Sequence, residues 1–156
     1  MTEGVKIGKC SVAALDGNPV FHDLLAQYAS EAAVKGLPEP KAKMEIYRQM
    51  ENSGTFHVWG AFFLGELVGF ISIIAPELPH YGRMVAVSES YFVSKDKRNT
   101  GAGLKLLRVA EKAAEELGSP GLLVSAPIDG QLAQLLSMLD RYTETNRVFF
   151  TGFAHG

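Results

Sequence analysis

Apolar and polar residues change their spacing along the chain, and the first part is predicted to be one strand followed by two helices. Val5 to Ala13 alternates weakly and predicts a first strand. Asn18 can cap a helix and Pro19 suits the first helical position, after which apolar residues recur at helical spacing as far as Ala32. A shorter helix is predicted over Lys41 to Met50, with Tyr47 on its apolar face.

The middle of the chain has the residue types of a β meander. Thr55 to Phe63 and Glu66 to Pro76 are rich in aromatic and β-branched residues, and Leu64-Gly65 between them predicts a tight hairpin turn. The segment from Glu77 to Arg83 contains proline and glycine and predicts a second turn. Met84 to Val93 is then predicted to be the third strand.

The last part of the chain begins with the clearest helix, Gly103 to Leu117, whose apolar residues fall on one stripe. Gly121 to Ser125 predicts a short strand, Gln131 to Leu139 a short helix and Asn146 to Phe153 a final strand. The predicted order is therefore β-α-α-β-β-β-α-β-α-β. It indicates one α/β (mixed α+β) domain over residues 1–156, with a mixed, mostly antiparallel sheet flanked by helices.

Composition and charge narrow the function classes. The chain has 156 residues and a net charge of −2, which gives no general attraction to nucleic acid or to an anionic membrane surface. Its apolar runs, such as Val68 to Ala75, are far shorter than the roughly 20 residues that span a bilayer. The N-terminus lacks a signal-peptide pattern, and the single cysteine, Cys10, cannot form an internal disulfide. We therefore expect a cytoplasmic protein.

The loop Arg98 to Gly103 has the features of a phosphate-binding loop. It lies between a predicted strand and the strongest predicted helix, whose first turn offers unpaired N–H groups and a partial positive charge. Gly101 and Gly103 would let the backbone close around an anion, and Lys95, Lys97 and Lys105 add positive charge. The pattern lacks the Lys-Ser/Thr of a nucleotide triphosphate loop. On pattern alone, a glycine-rich turn without a ligand remains the alternative.

Arg98-x-x-Gly101-x-Gly103-Leu104, after Phe92-Val93 and a basic segment, resembles the acetyl-coenzyme A signature of the GNAT acyltransferase superfamily. The chain is also similar to short members of that superfamily, some of them encoded by phages. The resemblance implies a GNAT-like fold and acetyl-coenzyme A as co-substrate. It implies a pyrophosphate held by the loop and a pantetheine arm paired with the preceding strand. The implied binding residues are Tyr91, Phe92, Val93, Arg98, Asn99, Thr100, Gly101, Ala102, Gly103 and Leu104.

Glu89 is the preferred candidate for the general base that such a transfer needs. Strand alternation over Met84 to Val93 predicts that Glu89 shares a face with Val87, Tyr91 and Val93. A carboxylate on an apolar face is poorly solvated and is therefore a better proton acceptor. A structural glutamate paired with a neighbour is the alternative interpretation.

His80 and Ser137 are further candidates for catalytic roles. His80 lies in the predicted turn after the second meander strand, where it could be a base or contact the substrate, although a solvated turn histidine is the simpler interpretation. Many GNAT chains carry an Asn-x-x-Ala-x-x-x-Tyr pattern near the C-terminus, and Gly130 and Ser137 stand here at the Asn and Tyr positions. Ser137 or a water could protonate the departing thiolate. The histidines form no ligand cluster, so we expect no metal.

These observations predict an N-acetyltransferase that moves the acetyl group of acetyl-coenzyme A to a primary amine by direct attack, with a general base. The acceptor, a small molecule or a protein amine, stays open, and neither nucleic acid nor membrane is expected as a partner. The missing Asn and Tyr favour the alternative of a coenzyme A-binding module without catalysis. Exposed sheet edges or the C-terminal segment would allow a homodimer.

Overall fold

A computed structural model describes residues 4–39 and 41–153, and these form seven strands and five α-helices. The strands are β1 Lys6–Cys10, β2 Phe56–Phe63, β3 Glu66–Ile74, β4 Glu77–Leu78, β5 Arg83–Met84, β6 Ala86–Val93 and β7 Leu122–Leu123. The helices are α1 Val12–Asp16, α2 Pro19–Ala32, α3 Met44–Asn52, α4 Ala102–Glu116 and α5 Gln131–Met138, and a 3-10 helix spans Lys95–Thr100. None of the helices in these two ranges has the length and hydropathy to cross a bilayer.

The main sheet is mixed and mostly antiparallel, as the sequence predicts. Its strand order is β1-β2-β3-β6-β7, and only the pair β6–β7 is parallel. The β2–β3 hairpin turns on Leu64 and Gly65, both at positive φ (52° and 80°), which confirms the predicted tight turn. The short strands β4 and β5 form a separate hairpin inside the predicted Glu77 to Arg83 turn.

Helices cover both faces of the sheet and divide the core in two. The amphipathic helix α4 packs on one face, against residues such as Ile71, Ile73 and Val93. Helices α1, α2 and α3 pack on the other face, against residues such as Phe56, Phe70 and Phe92. This layering follows from the alternation of the strands, whose neighbouring apolar side chains point to opposite faces.

Two predictions at the ends of the chain are wrong. The first strand does not continue to Ala13, because Ser11 accepts a hydrogen bond from the Ala14 N–H and starts helix α1. The final strand over Asn146 to Phe153 is absent, and these residues belong to no helix or strand and are exposed. A strand needs a neighbouring edge, and β7 offers only Leu122 and Leu123. The homodimer expected from this segment stays a prediction.

A β-bulge in β6 changes which face its side chains occupy. Ser72 pairs with Ser90 and Ile73 pairs with Ser88, so Glu89 is the extra residue of the bulge. The prediction that Glu89 shares a face with Tyr91 and Val93 is therefore wrong. Those two side chains pack under α4, whereas the Glu89 carboxylate lies on the face covered by α2 and α3.

Replacement of Gly69 by alanine is expected to destabilise the fold near the candidate site. Gly69 pairs with Val93 at the end of β6, and a methyl group there would lie 2.8 Å from the Phe92 carbonyl oxygen. Backbone must move to relieve this contact, so we expect a loss of about 1–3 kcal/mol in the free energy of unfolding. Chemical denaturation measures it. Gly121→Ala is the control, because Gly121 is exposed, its backbone is not at positive φ and the added methyl group would have no atom within 4 Å.

Candidate active site

The Glu89 carboxylate is held by hydroxyl groups from two other elements. The Tyr47 hydroxyl, on helix α3, donates to Glu89 Oε1 at 2.6 Å. The Ser72 hydroxyl, on strand β3, donates to Glu89 Oε2 at 2.8 Å and lies 2.7 Å from the Ser90 hydroxyl. The bulge makes this arrangement possible, because it brings Glu89 and Ser90 to the same face of the sheet. We call these four residues the Glu89 cluster.

The tyrosine hydroxyl groups in and near this cluster are kept neutral by their surroundings. Burial raises the pKa of Tyr47, and its hydrogen bond to Glu89 raises that pKa further. Burial also raises the pKa of Tyr28, and the negative charge of Glu89 adds to the effect. Within the described residues, none of the ion pairs involves Glu89. The carboxylate is thus held by neutral hydroxyl donors, and no cationic side chain of the described residues is paired with it.

A cavity of about 700 Å³ lies between helices α2 and α3 and the sheet, with Glu89, Ser72 and Ser90 in its wall. This volume is in the range of small-molecule sites. Apolar and aromatic side chains form most of the remaining wall, among them Phe21, Leu25, Tyr28, Met44, Phe56 and Phe70. The arrangement is a mainly apolar cavity with one half-buried acidic side chain, Glu89.

The loop between β6 and α4 has the geometry of an anion site. The 3-10 helix ends at Gly101, which has φ +83°, and α4 begins at the next residue. Lys105 makes the first intrahelical backbone bond, to the Gly101 carbonyl at 3.1 Å. The Ala102 N–H donates to the Thr100 hydroxyl oxygen at 3.3 Å. The N–H groups of Gly103 and Leu104, in the first turn of the helix, have no intrahelical partner. An anion at this point would meet these donors and the positive end of the helix.

The Arg98 side chain holds the loop together instead of projecting into it. Its guanidinium donates to the Val93 carbonyl at 3.0 Å, to Gln131 at 3.0 Å and to Glu31 at 2.7 Å, and it lies over the Phe92 ring. These contacts join the end of α2, the end of β6 and the start of α5. Arg98 therefore fixes where the loop sits, and only its backbone is placed to take part in anion binding.

The lysines near the loop differ in their availability. Lys105 turns towards β1, where its ammonium donates to the Val5 carbonyl at 3.0 Å. Lys97 lies 3.4 Å from Asp96, and Lys95 is exposed. Of the predicted basic group, Lys95 and Lys97 are therefore the side chains that could approach a bound phosphate.

Strands β6 and β7 separate next to the Glu89 cluster. They pair in parallel at Ala86–Leu122 and Val87–Leu123, after which β7 ends while β6 continues to Val93. The Ser125 N–H turns to the Ser88 hydroxyl at 3.2 Å instead of a strand backbone. Within the described residues, the edge of β6 beyond Ser88 thus has no strand partner on the side of β7, and its backbone could pair with an extended ligand next to the bulge.

Of the three residues predicted to bind the pantetheine arm, two have side chains with other partners. The Tyr91 hydroxyl donates to the Gly103 carbonyl and so fastens the end of β6 to the start of α4. Phe92 is buried against α2 on the opposite face. Together with Val93, they form the strand end from which the loop departs, on the part of β6 that lies beyond its pairing with β7.

The two other catalytic candidates lie apart from Glu89. His80 is exposed in the β4–β5 turn, with its ring edge-on to Tyr81, and Ser137 is exposed on α5 and donates to the Ala133 carbonyl. Neither lines the cavity that contains Glu89. Their predicted roles stay predictions.

Sequence reasoning missed the partners of Glu89. Tyr47 was expected on the inner face of its helix, but its hydroxyl contact with β6 joins residues 42 positions apart. Ser72 was the available signal, because it is a hydroxyl residue inside an otherwise apolar strand and is 1% exposed. A buried hydroxyl needs a hydrogen-bond partner, and here the partner is the carboxylate.

The chain belongs to the acetyltransferase (GNAT) family. The model of that family matches residues 20–132, which include the Glu89 cluster and the loop. A search of curated protein sequences found no significant match.

Solved structures share the fold over nearly the whole chain. One is a ribosomal-protein-alanine N-acetyltransferase from Brucella melitensis biovar Abortus 2308, with 21% identity, 96% and 98% of the two chains covered and a TM-score of 0.71. An aminoglycoside acetyltransferase from an uncultured soil metagenomic sample, in complex with sisomicin, has 19% identity, 96% and 95% coverage and a TM-score of 0.70. The enzyme AAC(6')-Iy, in complex with a coenzyme A bisubstrate analog, has 18% identity, 96% and 97% coverage and a TM-score of 0.70. These likenesses confirm the predicted GNAT-like fold.

Proposed function

We propose that this protein transfers an acetyl group from acetyl-coenzyme A to a primary amine. The observation that carries the proposal is the position of Glu89, in the wall of a cavity of small-molecule size and on the part of β6 that no longer pairs with β7. The loop at the N-terminus of α4 lies at the end of the same strand. Strand β6 thus carries a carboxylate that could bind an amine and leads directly to the backbone N–H groups that could bind a pyrophosphate.

In the proposed reaction, acetyl-coenzyme A supplies a thioester whose thiol is a good leaving group. The chain's N–H groups at Gly103 and Leu104 bind the pyrophosphate, and the free edge of β6 aligns the arm with the cavity. Glu89 attracts the ammonium form of the acceptor and takes its proton, so that the amine nitrogen can attack the thioester carbon. Tyr47 and Ser72 orient the carboxylate for this step. The new C–N bond replaces the C–S bond, the nitrogen releases its second proton to solvent to give the neutral amide, and the thiolate takes a proton from solvent.

Release of free thiol from acetyl-coenzyme A in the presence of an amine is the expected result. A panel of small amines and peptides, followed with a thiol reagent, measures it, and thermal stabilisation by acetyl-coenzyme A is measured in parallel. Stabilisation without thiol release on any amine would favour a coenzyme A-binding module that has lost catalysis. Neither stabilisation nor thiol release, at cofactor well above micromolar, would contradict both functions.

A further inference from the structure

The charges around the cavity are few and unevenly placed. Among the described residues that line it, four can carry charge: Glu89, Glu39, Lys41 and His22. Glu39 and Lys41 are exposed residues of opposite sign. His22 is exposed and contacts the Asp16 carbonyl at 2.7 Å. Glu89 is therefore the one negative charge held inside the cavity, away from the rim.

Most of the remaining wall of the cavity is aromatic and apolar. Phe70 and Tyr28 lie edge to face with ring centroids 6.2 Å apart, and the Tyr47 ring lies 5.0 Å from Phe56. Rings of this kind offer dispersion contacts to an apolar body and an electronegative face to a nearby ammonium group. A cation bound at Glu89 would have such rings around it.

We propose that the acceptor is a small primary monoamine with an apolar body. This inference rests on the acetyltransferase function proposed above. Its ammonium group pairs with Glu89, and its body packs on the aromatic wall. A second ammonium group, as in a polyamine or an aminoglycoside, would lose its hydration among apolar side chains, because the other carboxylate of the lining, Glu39, is exposed and lies outside the apolar wall. A peptide would leave backbone N–H and C=O groups unpaired in the same surroundings.

Competing amines test the inference directly. We expect kcat/KM for 2-phenylethylamine to exceed that for spermidine, sisomicin and an alanine-initiated tripeptide by at least about 10-fold, the discrimination that a few apolar contacts provide. A higher kcat/KM for spermidine, sisomicin or the tripeptide than for 2-phenylethylamine would overturn the inference while leaving the acetyltransferase function intact.

A second carboxylate in the wall should change this preference. Ala26 is exposed on α2 and lines the cavity, so Ala26→Asp adds a negative charge without removing a core side chain. We expect the ratio of kcat/KM for spermidine to that for 2-phenylethylamine to rise about 10-fold. Gln27→Asp is the matched control, because Gln27 is exposed on the same helix and does not line the cavity. An equal rise in both variants would contradict a role for the cavity.

Equilibrium binding tests the same inference without turnover. Titration calorimetry of 2-phenylethylamine into the coenzyme A-saturated protein should show binding that Glu89→Gln weakens at least about 10-fold, since the variant removes the cation's partner. Binding in a protein that releases no thiol would support the cavity assignment while the proposed reaction fails. Absence of binding to the unchanged protein would overturn the cavity assignment.

Discussion

Glu89→Gln is expected to slow acetyl transfer by about 10²-fold or more, the typical contribution of a general base. The amide has nearly the shape of the carboxylate and can still accept the Tyr47 hydroxyl, so the cluster should keep its geometry. It cannot take the proton of the acceptor and it offers no charge to an ammonium group. Affinity for acetyl-coenzyme A should stay unchanged, because the loop at Gly101 shares no hydrogen bond with Glu89.

Thiol-release kinetics measure kcat and KM for this variant, and calorimetry measures its affinity for acetyl-coenzyme A. Glu66→Gln is the matched control, since Glu66 is an exposed strand glutamate that does not line the cavity. A Glu89→Gln protein with full turnover would remove Glu89 from the mechanism. A parallel loss of melting temperature would indicate that the carboxylate mainly holds Tyr47 and Ser72 in place.

The parts of the fold that the sequence predicts well are those set by local spacing. Strand β2, strand β3 and helix α4 lie within two residues of their predicted bounds, because alternation and helical periodicity act over neighbouring residues. The Asn146 to Phe153 strand failed for the opposite reason. Its residues favour a strand, but a strand also requires a partner edge, which depends on distant parts of the chain.

In the candidate site, too, the features set by neighbouring residues could be predicted and those set by distant residues could not. The loop could be located from Gly101, Gly103 and the helix that follows, all of them local features. The bulge at Glu89 arises from the pairing of β6 with β3, and strand alternation within β6 cannot show it. The ion pair between Arg98 and Glu31 joins residues 67 positions apart, so the spacing of residues within the loop motif cannot predict it.

Gly101→Glu is expected to leave the chain folded and to lower its affinity for acetyl-coenzyme A by at least about 100-fold, as two like charges at close range would do. Gly101 has φ +83°, so a side chain there costs about 1 kcal/mol, but a Cβ would meet no atom within 4 Å. A negative charge at the start of α4 also interacts favourably with the helix dipole and offsets part of that cost. The glutamate side chain that stabilises the helix start would thus occupy the pyrophosphate site, and its charge would repel the pyrophosphate.

A control variant at the other end of helix α4 distinguishes the effect of backbone strain from the effect of charge repulsion. Gly118 has φ +90° and equally open space around a Cβ, so Gly118→Glu carries the same strain and the same charge away from the loop. We expect Gly118→Glu to lose at least as much melting temperature, since its charge lies at the unfavourable end of the helix dipole, and only Gly101→Glu to lose cofactor affinity, measured by calorimetry. Equal affinity in the two variants would mean that the anion binds elsewhere. The Gly103 and Leu104 N–H groups are the donors that we assign to the pyrophosphate. That result would therefore also contradict the proposal that the pantetheine arm runs along the free edge of β6.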